Sequence, residues 1–272
     1  MCWNFKQHQQ KQLIQVIDTH AHLDELENLD TAIKKAKEAG IVAIVSMGSS
    51  QNSNLQTMEI SRCHPSIVFS ALGLHPCVLG EMNPSELENT INFIQKKAAE
   101  IIAIGEIGLD YDKRAIKSAS KVLQKDVLKR LLSLAKKHNK PVSIHSRYAW
   151  KDCFNLVKES NVEKAVFHWF TGFSSVLKEI TDAGYFISAT PAAEYHEEHR
   201  RAIKETPLER LLLETDCPVI YGREHRYTSA PADLLRSLRA VASIKDIDEA
   251  VIAQQTTENA VRLFNLGMTI SQ

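Results

Sequence analysis

Val16-Ile17-Asp18-Thr19-His20-Ala21-His22 is a short apolar run that ends on two histidines. Side chains alternate along a strand, so His20 and His22 share one side, with Asp18 one layer below. Two imidazoles at this spacing can grip one cation from a rigid edge. Taken alone, a His-x-His pair is equally compatible with surface or core histidines.

Outward from this segment, four more metal-type residues each close a later apolar run. Glu106 closes Ile101-Ile102-Ala103-Ile104-Gly105, and His145 follows Val142-Ser143-Ile144. His168 follows Val166-Phe167, and Asp216 ends Leu211-Leu212-Leu213-Glu214-Thr215. A carboxylate ending a wholly apolar strand is hard to explain as packing, because a buried unpaired charge is costly. Ligands gathered from the ends of many strands describe a barrel with a metal site at its C-terminal mouth, where barrel enzymes place their chemistry.

Eight short runs rich in Val, Ile and Leu read as strands covered on both faces: residues 16–19, 41–46, 67–72, 101–105, 141–144, 165–167, 185–188 and 211–214. Helical segments lie between them. Residues 30–39 stop at Gly40. Asn83-Pro84-Ser85-Glu86 opens another helix, with Asn as cap, Pro in the first turn and Glu three residues after the cap. Residues 118–138 set Val127, Leu128, Leu131, Leu132 and Leu134 at helical spacing against a Lys-rich face. Asp246-Ile247-Asp248-Glu249 caps a last helix to about Phe264.

Repeated strand–helix alternation predicts an α/β protein, a (β/α)8 TIM barrel in one domain over residues 16–272, preceded by a loose extension at 1–15 that includes His8. A doubly wound sheet is the competing fold. However, no Gly-rich phosphate loop follows the first strand, and an open sheet would bring strands one, four, five, six and eight together less readily.

The 272 residues are 44% hydrophobic and 24% charged, with a formal net charge of zero. A backbone-wrapping nucleic-acid binder would normally be basic, so attraction to nucleic acid must be local. The five cysteines (Cys2, Cys63, Cys77, Cys153 and Cys217) are odd in number and form no Cys-x-x-Cys, which fits a reducing cytoplasm rather than a disulfide framework. No signal-peptide core or membrane-length apolar run is expected.

Four histidines and two carboxylates are too many for one tetrahedral ion. They suit two divalent ions sharing a bridging carboxylate, with Glu106 as the bridge. The imidazoles favour Zn or Mn, while the carboxylates also permit Mg. Around them, His75 is placed to contact a phosphate, and Arg147, two residues past His145, to clamp one. Glu214 is placed to orient a ligand histidine from behind. Asp24, Asp110 and Tyr111 sit just past strand ends. Trp150, Trp169 and Tyr195 are candidates to stack on a base. Arg200, Arg201, Arg223 and Arg226 are candidates for local positive potential, while Cys77 and Cys217 adjoin site residues.

In chain order, IDTHAHLD (17–24), ALGLHP (71–76), IGEIGLDY (104–111), PVSIHSR (141–147), FHWFTG (167–172), LLLETDCP (211–218) and TTENAVRLF (256–264) resemble the TatD family of metal-dependent deoxyribonucleases, within the amidohydrolase-like barrels. The resemblance spans residues 16 to about 266. It implies metal ligands at His20, His22, Glu106, His145, His168 and Asp216. It also implies hydrolysis of phosphodiesters, typically trimming DNA from the 3′ end, so that single-stranded DNA or 3′ ends are the expected partner and no obligate protein partner is implied. The chain departs from the family where many relatives carry Arg-Asn-Glu-Pro and it reads Tyr227-Thr228-Ser229-Ala230-Pro231. It departs again at Ala189-Thr190-Pro191, which replaces a Gly-bearing turn. These changes spare every implied ligand and bear on substrate contacts instead.

The expected reaction is attack of an activated water on a DNA phosphodiester, with Asp216 accepting the proton and Glu106 holding the metals. The same machinery would serve a D-aminoacyl-tRNA deacylase or another amide or ester hydrolase. A non-catalytic metal-containing nucleic-acid-binding or scaffold protein is the third reading, against which the intact ligand set argues.

Overall fold

A computed structural model describes residues 14–268. Most of the expected 1–15 extension, with Cys2 and His8, lies outside the described residues. Eight strands follow in chain order: β1 (Val16–Ala21), β2 (Ile41–Met47), β3 (Val68–Leu74), β4 (Ala103–Gly108), β5 (Val142–His145), β6 (Ala165–Phe167), β7 (Phe186–Ala189) and β8 (Leu211–Leu213). Each pairs in parallel with the next, from β1 through β8.

Among the described residues, ten α-helices cover the sheet: α1 (Leu29–Glu38), α2 (Gln51–Cys63), α3 (Pro84–Lys97), α4 (Lys113–Ser118), α5 (Lys121–Lys137), α6 (Trp150–Glu159), α7 (Ser174–Asp182), α8 (Glu197–Glu205), α9 (Leu234–Lys245) and α10 (Glu249–Phe264). This is the (β/α)8 barrel expected from the sequence. The capping box at Asn83 and Glu86 is formed, and Asp248 caps α10 through the backbone N–H of Ala250. The small helix α4 and a two-stranded ribbon, β9 (Ile220–Tyr221) with β10 (Tyr227–Thr228), were not legible as periodic runs.

The barrel closes through the chain just beyond β8. Asp216 N–H donates to the His20 carbonyl at 2.8 Å, and His22 N–H to the Cys217 carbonyl at 2.8 Å. Below them, Asp18 accepts from the backbone N–H and the hydroxyl of Thr215 at 2.9 and 2.6 Å. This explains an aspartate in a buried strand: its lone pairs are satisfied by the neighbour that completes the ring.

Alternation divides the strand residues between two apolar clusters. Ile41, Ile44, Leu72 and Ile104 pack with the helices. Ala43, Val45, Met47, Ala71 and Ala103 form the other cluster, together with Ala260, Leu263 and Phe264 of α10. Asn259 ties α10 to the start of β8, its amide donating to the carbonyls of Leu208 and Leu211 at 2.8 Å each. The TTENAVRLF segment therefore has a structural role.

Two sequence boundaries need correction. Glu106 does not close its strand, because β4 runs on to Gly108. Glu214 is not in a strand, because β8 stops at Leu213. The extension of β4 relies on two glycines. A Cβ at Gly73 would lie 2.3 Å from the Glu106 carbonyl oxygen, and one at Gly108, where φ is 155°, would lie 1.9 Å from the His145 oxygen. Only glycine lets the neighbouring strands approach the Glu106 segment this closely. Among the described residues, no helix is long and apolar enough to cross a membrane.

Candidate metal centre

All six expected ligands meet at the C-terminal mouth, and Glu106 lies between two groups. On one side, its Oε2 is 3.5 Å from His20 Nε2 and 3.3 Å from His22 Nε2. Asp216 Oδ1 is 3.5 Å from each of the same two nitrogens, and the nitrogens are 3.3 Å apart. These separations are long for hydrogen bonds. A tetrahedral ion with ligands at about 2.0–2.1 Å sets its ligand atoms about 3.3–3.4 Å apart. Five of the six edges of such a tetrahedron are thus drawn by His20, His22, Glu106 and Asp216. The donor set, two imidazoles and two carboxylates, fits a divalent cation.

On the other side, Glu106 Oε1 is 2.9 Å from His145 Nδ1 and 2.8 Å from His168 Nε2, with those nitrogens 3.4 Å apart. His75 Nε2 approaches the same oxygen at 3.4 Å. His20 and His168 stack across the centre, with ring centroids 4.1 Å apart.

The surroundings fix these rings. His20 Nδ1 meets the Ser143 hydroxyl at 3.2 Å. His145 Nε2 meets Asp110 Oδ2 at 3.2 Å. Glu214 Oε1 accepts the Trp169 N–H at 3.0 Å and stands 3.6 Å from His168 Nδ1. His75 Nδ1 accepts the Cys77 N–H at 3.2 Å, leaving Nε2 to face Glu106.

Charge is concentrated here. Burial would raise the Glu106 carboxyl, but the neighbouring His75 and His168 hold it well below the usual carboxylate range. Burial likewise opposes ionisation of Asp216, which the His22 bond and the charges of His20 and His168 keep low. Burial would pull His22 down, yet its bonds to Asp216 and Glu106 hold it well above the usual imidazole range. His168 is raised against burial by the charge of Glu106. His20, by contrast, is lowered by burial and by His168. Protons on imidazoles therefore balance the two carboxylates, and a cation taking their place would release them.

The centre forms the floor of an open cleft of about 1020 Å³. Arg147 lines it, though not by strand alternation as expected: β5 ends at His145, and the half-exposed guanidinium lies 3.4 Å from Asp112 and 4.0 Å from Asp110. Trp150, Trp169 and Arg201 line it too. Tyr195 does not. Its carbonyl accepts from Arg223 at 2.7 Å, and the same guanidinium lies 5.8 Å from its ring. Arg200 donates to the Ala193 carbonyl at 2.6 Å, and Tyr111 donates to Asp152 at 2.7 Å. Cys217 is buried, whereas exposed Cys77 reaches Asp110 Oδ2 at 3.5 Å. The contacts of His145 with Asp110 and of His20 with Ser143 carry no sequence signal beyond proximity to the motifs. Two further cleft residues, Tyr148 and Phe173, were not singled out by the sequence.

Comparison with known proteins identifies the family. The family model described as TatD related DNase matches residues 17–265. A human deoxyribonuclease, TATDN3, is 34% identical over 92% of this chain and 94% of its own. A metal-dependent hydrolase of Bacillus subtilis, YabD, is 31% identical over 93% of this chain and 100% of its own. The crystal structure of the Escherichia coli TatD homologue YjjV superposes with a TM-score of 0.84 at 26% identity, covering 93% of this chain and 99% of that one. A match across the whole barrel, together with the ligand cluster at its mouth, places this chain in the TatD-related DNase family.

Proposed function

We propose that this chain is a divalent-metal-dependent deoxyribonuclease that removes nucleotides from the 3′ end of single-stranded DNA. The observation that carries the reading is the division of Glu106 between two groups of ligand atoms, His20–His22–Asp216 and His145–His168. That division suits two ions, Mg, Mn or Zn, with one carboxylate between them. Such ions, when bound, supply Lewis acidity toward a phosphoryl oxygen and make water more acidic.

The chain's own residues perform the rest. Asp216, within reach of both His20 and His22 at 3.5 Å, accepts the proton of the attacking water. The water oxygen bonds to phosphorus as the bond from phosphorus to the strand's 3′ oxygen breaks, and solvent supplies the proton to that oxygen. His75, whose Nδ1 accepts the Cys77 N–H and whose Nε2 faces the centre, donates to a phosphate oxygen at its edge. Arg147 captures the strand from the rim, its guanidinium suited to phosphate. Glu214 fixes His168 from behind.

The test is incubation of metal-stripped protein with end-labelled single-stranded DNA, with and without Mg²⁺, Mn²⁺ or Zn²⁺. Metal-dependent shortening from the 3′ end is expected. Absence of cleavage with every metal, alongside metal-dependent hydrolysis of an aminoacyl ester, would replace the reading with the esterase alternative.

A further inference from the structure

Among the described residues, seven non-glycine positions have positive φ. Five are Asn or Asp, which tolerate that conformation. The other two are aromatic: Tyr148 at 55° and Trp169 at 42°. Both line the cleft above the metal centre. A bulky side chain in the left-handed region carries a backbone cost, and such residues concentrate at ligand-binding sites.

Tyr148 belongs to a wall of three rings. Trp150 stands at its centre, 5.9 Å from Tyr148 and 5.4 Å from Phe173, edge-on to both. A Cβ at Gly172 would lie 2.6 Å from Trp150 Cγ, so the glycine lets the indole pack against the backbone. The flanking rings are open to solvent, Tyr148 at 59% and Phe173 at 68% exposure. Two large aromatics this exposed on one cleft are not explained by packing. The guanidinium carbon of Arg147 lies 5.7 Å from the Tyr148 ring. The ring and the cation expected to capture phosphate are therefore neighbours.

We infer that Tyr148 and Phe173, braced by Trp150, form a stacking site for an unpaired base of the strand whose phosphate lies at the metal centre. The inference rests on the nuclease reading and adds the residues that hold a base of its substrate. A base held against these rings has left its partner strand, so the cleft selects single-stranded or frayed ends. Stacking uses the π-face that every base has, and it imposes little sequence preference. The continuity of the wall with the ligand cluster, and the cation at its edge, match a nucleotide's combination of flat apolar base and anionic phosphate.

The test compares kcat/KM of the Mn²⁺-loaded protein on two labelled ten-residue strands, oligothymidylate and a strand of stable abasic spacers. The wild type is expected to favour oligothymidylate by about 5- to 150-fold, the range base–aromatic stacking spans. Tyr148→Ala and Phe173→Ala are each expected to reduce that preference through KM while leaving the spacer strand unaffected. Tyr148→Phe should retain it. Equal rates on both strands with the wild type, or equal losses on both strands in the variants, would overturn the stacking site alone. Cleavage of neither strand by the wild type would overturn the nuclease reading and this inference with it.

Discussion

Glu214 accepts the backbone N–H of Trp169 at 3.0 Å, which sets its carboxylate behind the ring of His168. It is fully buried, and one of its oxygens has no partner among the described residues. A carboxylate in this position raises the basicity of the imidazole and fixes its orientation. Glu214→Ala should lower metal affinity about 10- to 100-fold, while Glu214→Gln, which keeps an acceptor for Trp169, should lose less. Metal titration of the two folded variants checks this. Equal affinity in wild type and Glu214→Ala would separate Glu214 from the centre.

Glu106→Ala and His145→Ala should both abolish hydrolysis with the barrel intact, because each side chain projects into the mouth rather than between sheet and helices. They should differ in metal content. Glu106→Ala weakens both ligand groups, whereas His145→Ala leaves His20, His22 and Asp216 in place. Elemental analysis of dialysed protein, alongside circular dichroism, measures both effects. Retention of the full metal content by Glu106→Ala would remove it from the shared position.

Arg147→Ala should weaken action on DNA through KM while sparing the metals, since a guanidinium has no lone pair for coordination. Its side chain is 55% exposed and shares its charge with Asp112, so the loss should fall near the lower end for a charge-assisted hydrogen bond, about tenfold in kcat/KM. Unchanged DNA kinetics would place Arg147 outside the substrate path, and metal loss would make it a structural support.

His199, outside the ligand cluster, gives a pH signature in the stability of the metal-free protein. It is fully buried, accepts the Thr190 N–H at 3.1 Å and donates to the Phe170 carbonyl at 3.0 Å. Burial pushes its pKa down to about 4, from 6.5. The unfolded chain therefore binds a proton that the folded one refuses, and stability present above the unfolded value is lost as pH falls toward 4. Between pH 7 and 5 this should cost on the order of 2 kcal/mol. Urea unfolding at both values should show a smaller drop for His199→Gln, and identical drops would refute the assignment.

The barrel and the cluster of candidate ligands at its mouth were legible because both are written locally. Apolar runs of strand length, each followed by a helix, gave the order from Val16 to Leu213. His20 and His22 share a side by simple alternation. What escaped depends on contacts distant in sequence or on loop conformation. Asp18 reads as an oddity until Thr215 is placed beside it by barrel closure. Alternation from His145 places Arg147 on a continuing strand, but the strand ends at His145. Tyr148 and Phe173 look like ordinary loop residues, and only the left-handed turn at Tyr148 and the packing of Trp150 against Gly172 bring them to the cleft. Tyr195, an equal candidate in the sequence, is not among the residues that line the cleft.

The most direct test of the central claim, that Glu106 is shared between two bound ions, is anomalous diffraction from crystals of the protein soaked in Mn²⁺. Two peaks are expected, one among His20, His22, Glu106 and Asp216 and the other among Glu106, His145 and His168, with the Glu106 carboxylate between them. A single peak, or peaks away from Glu106, would contradict it.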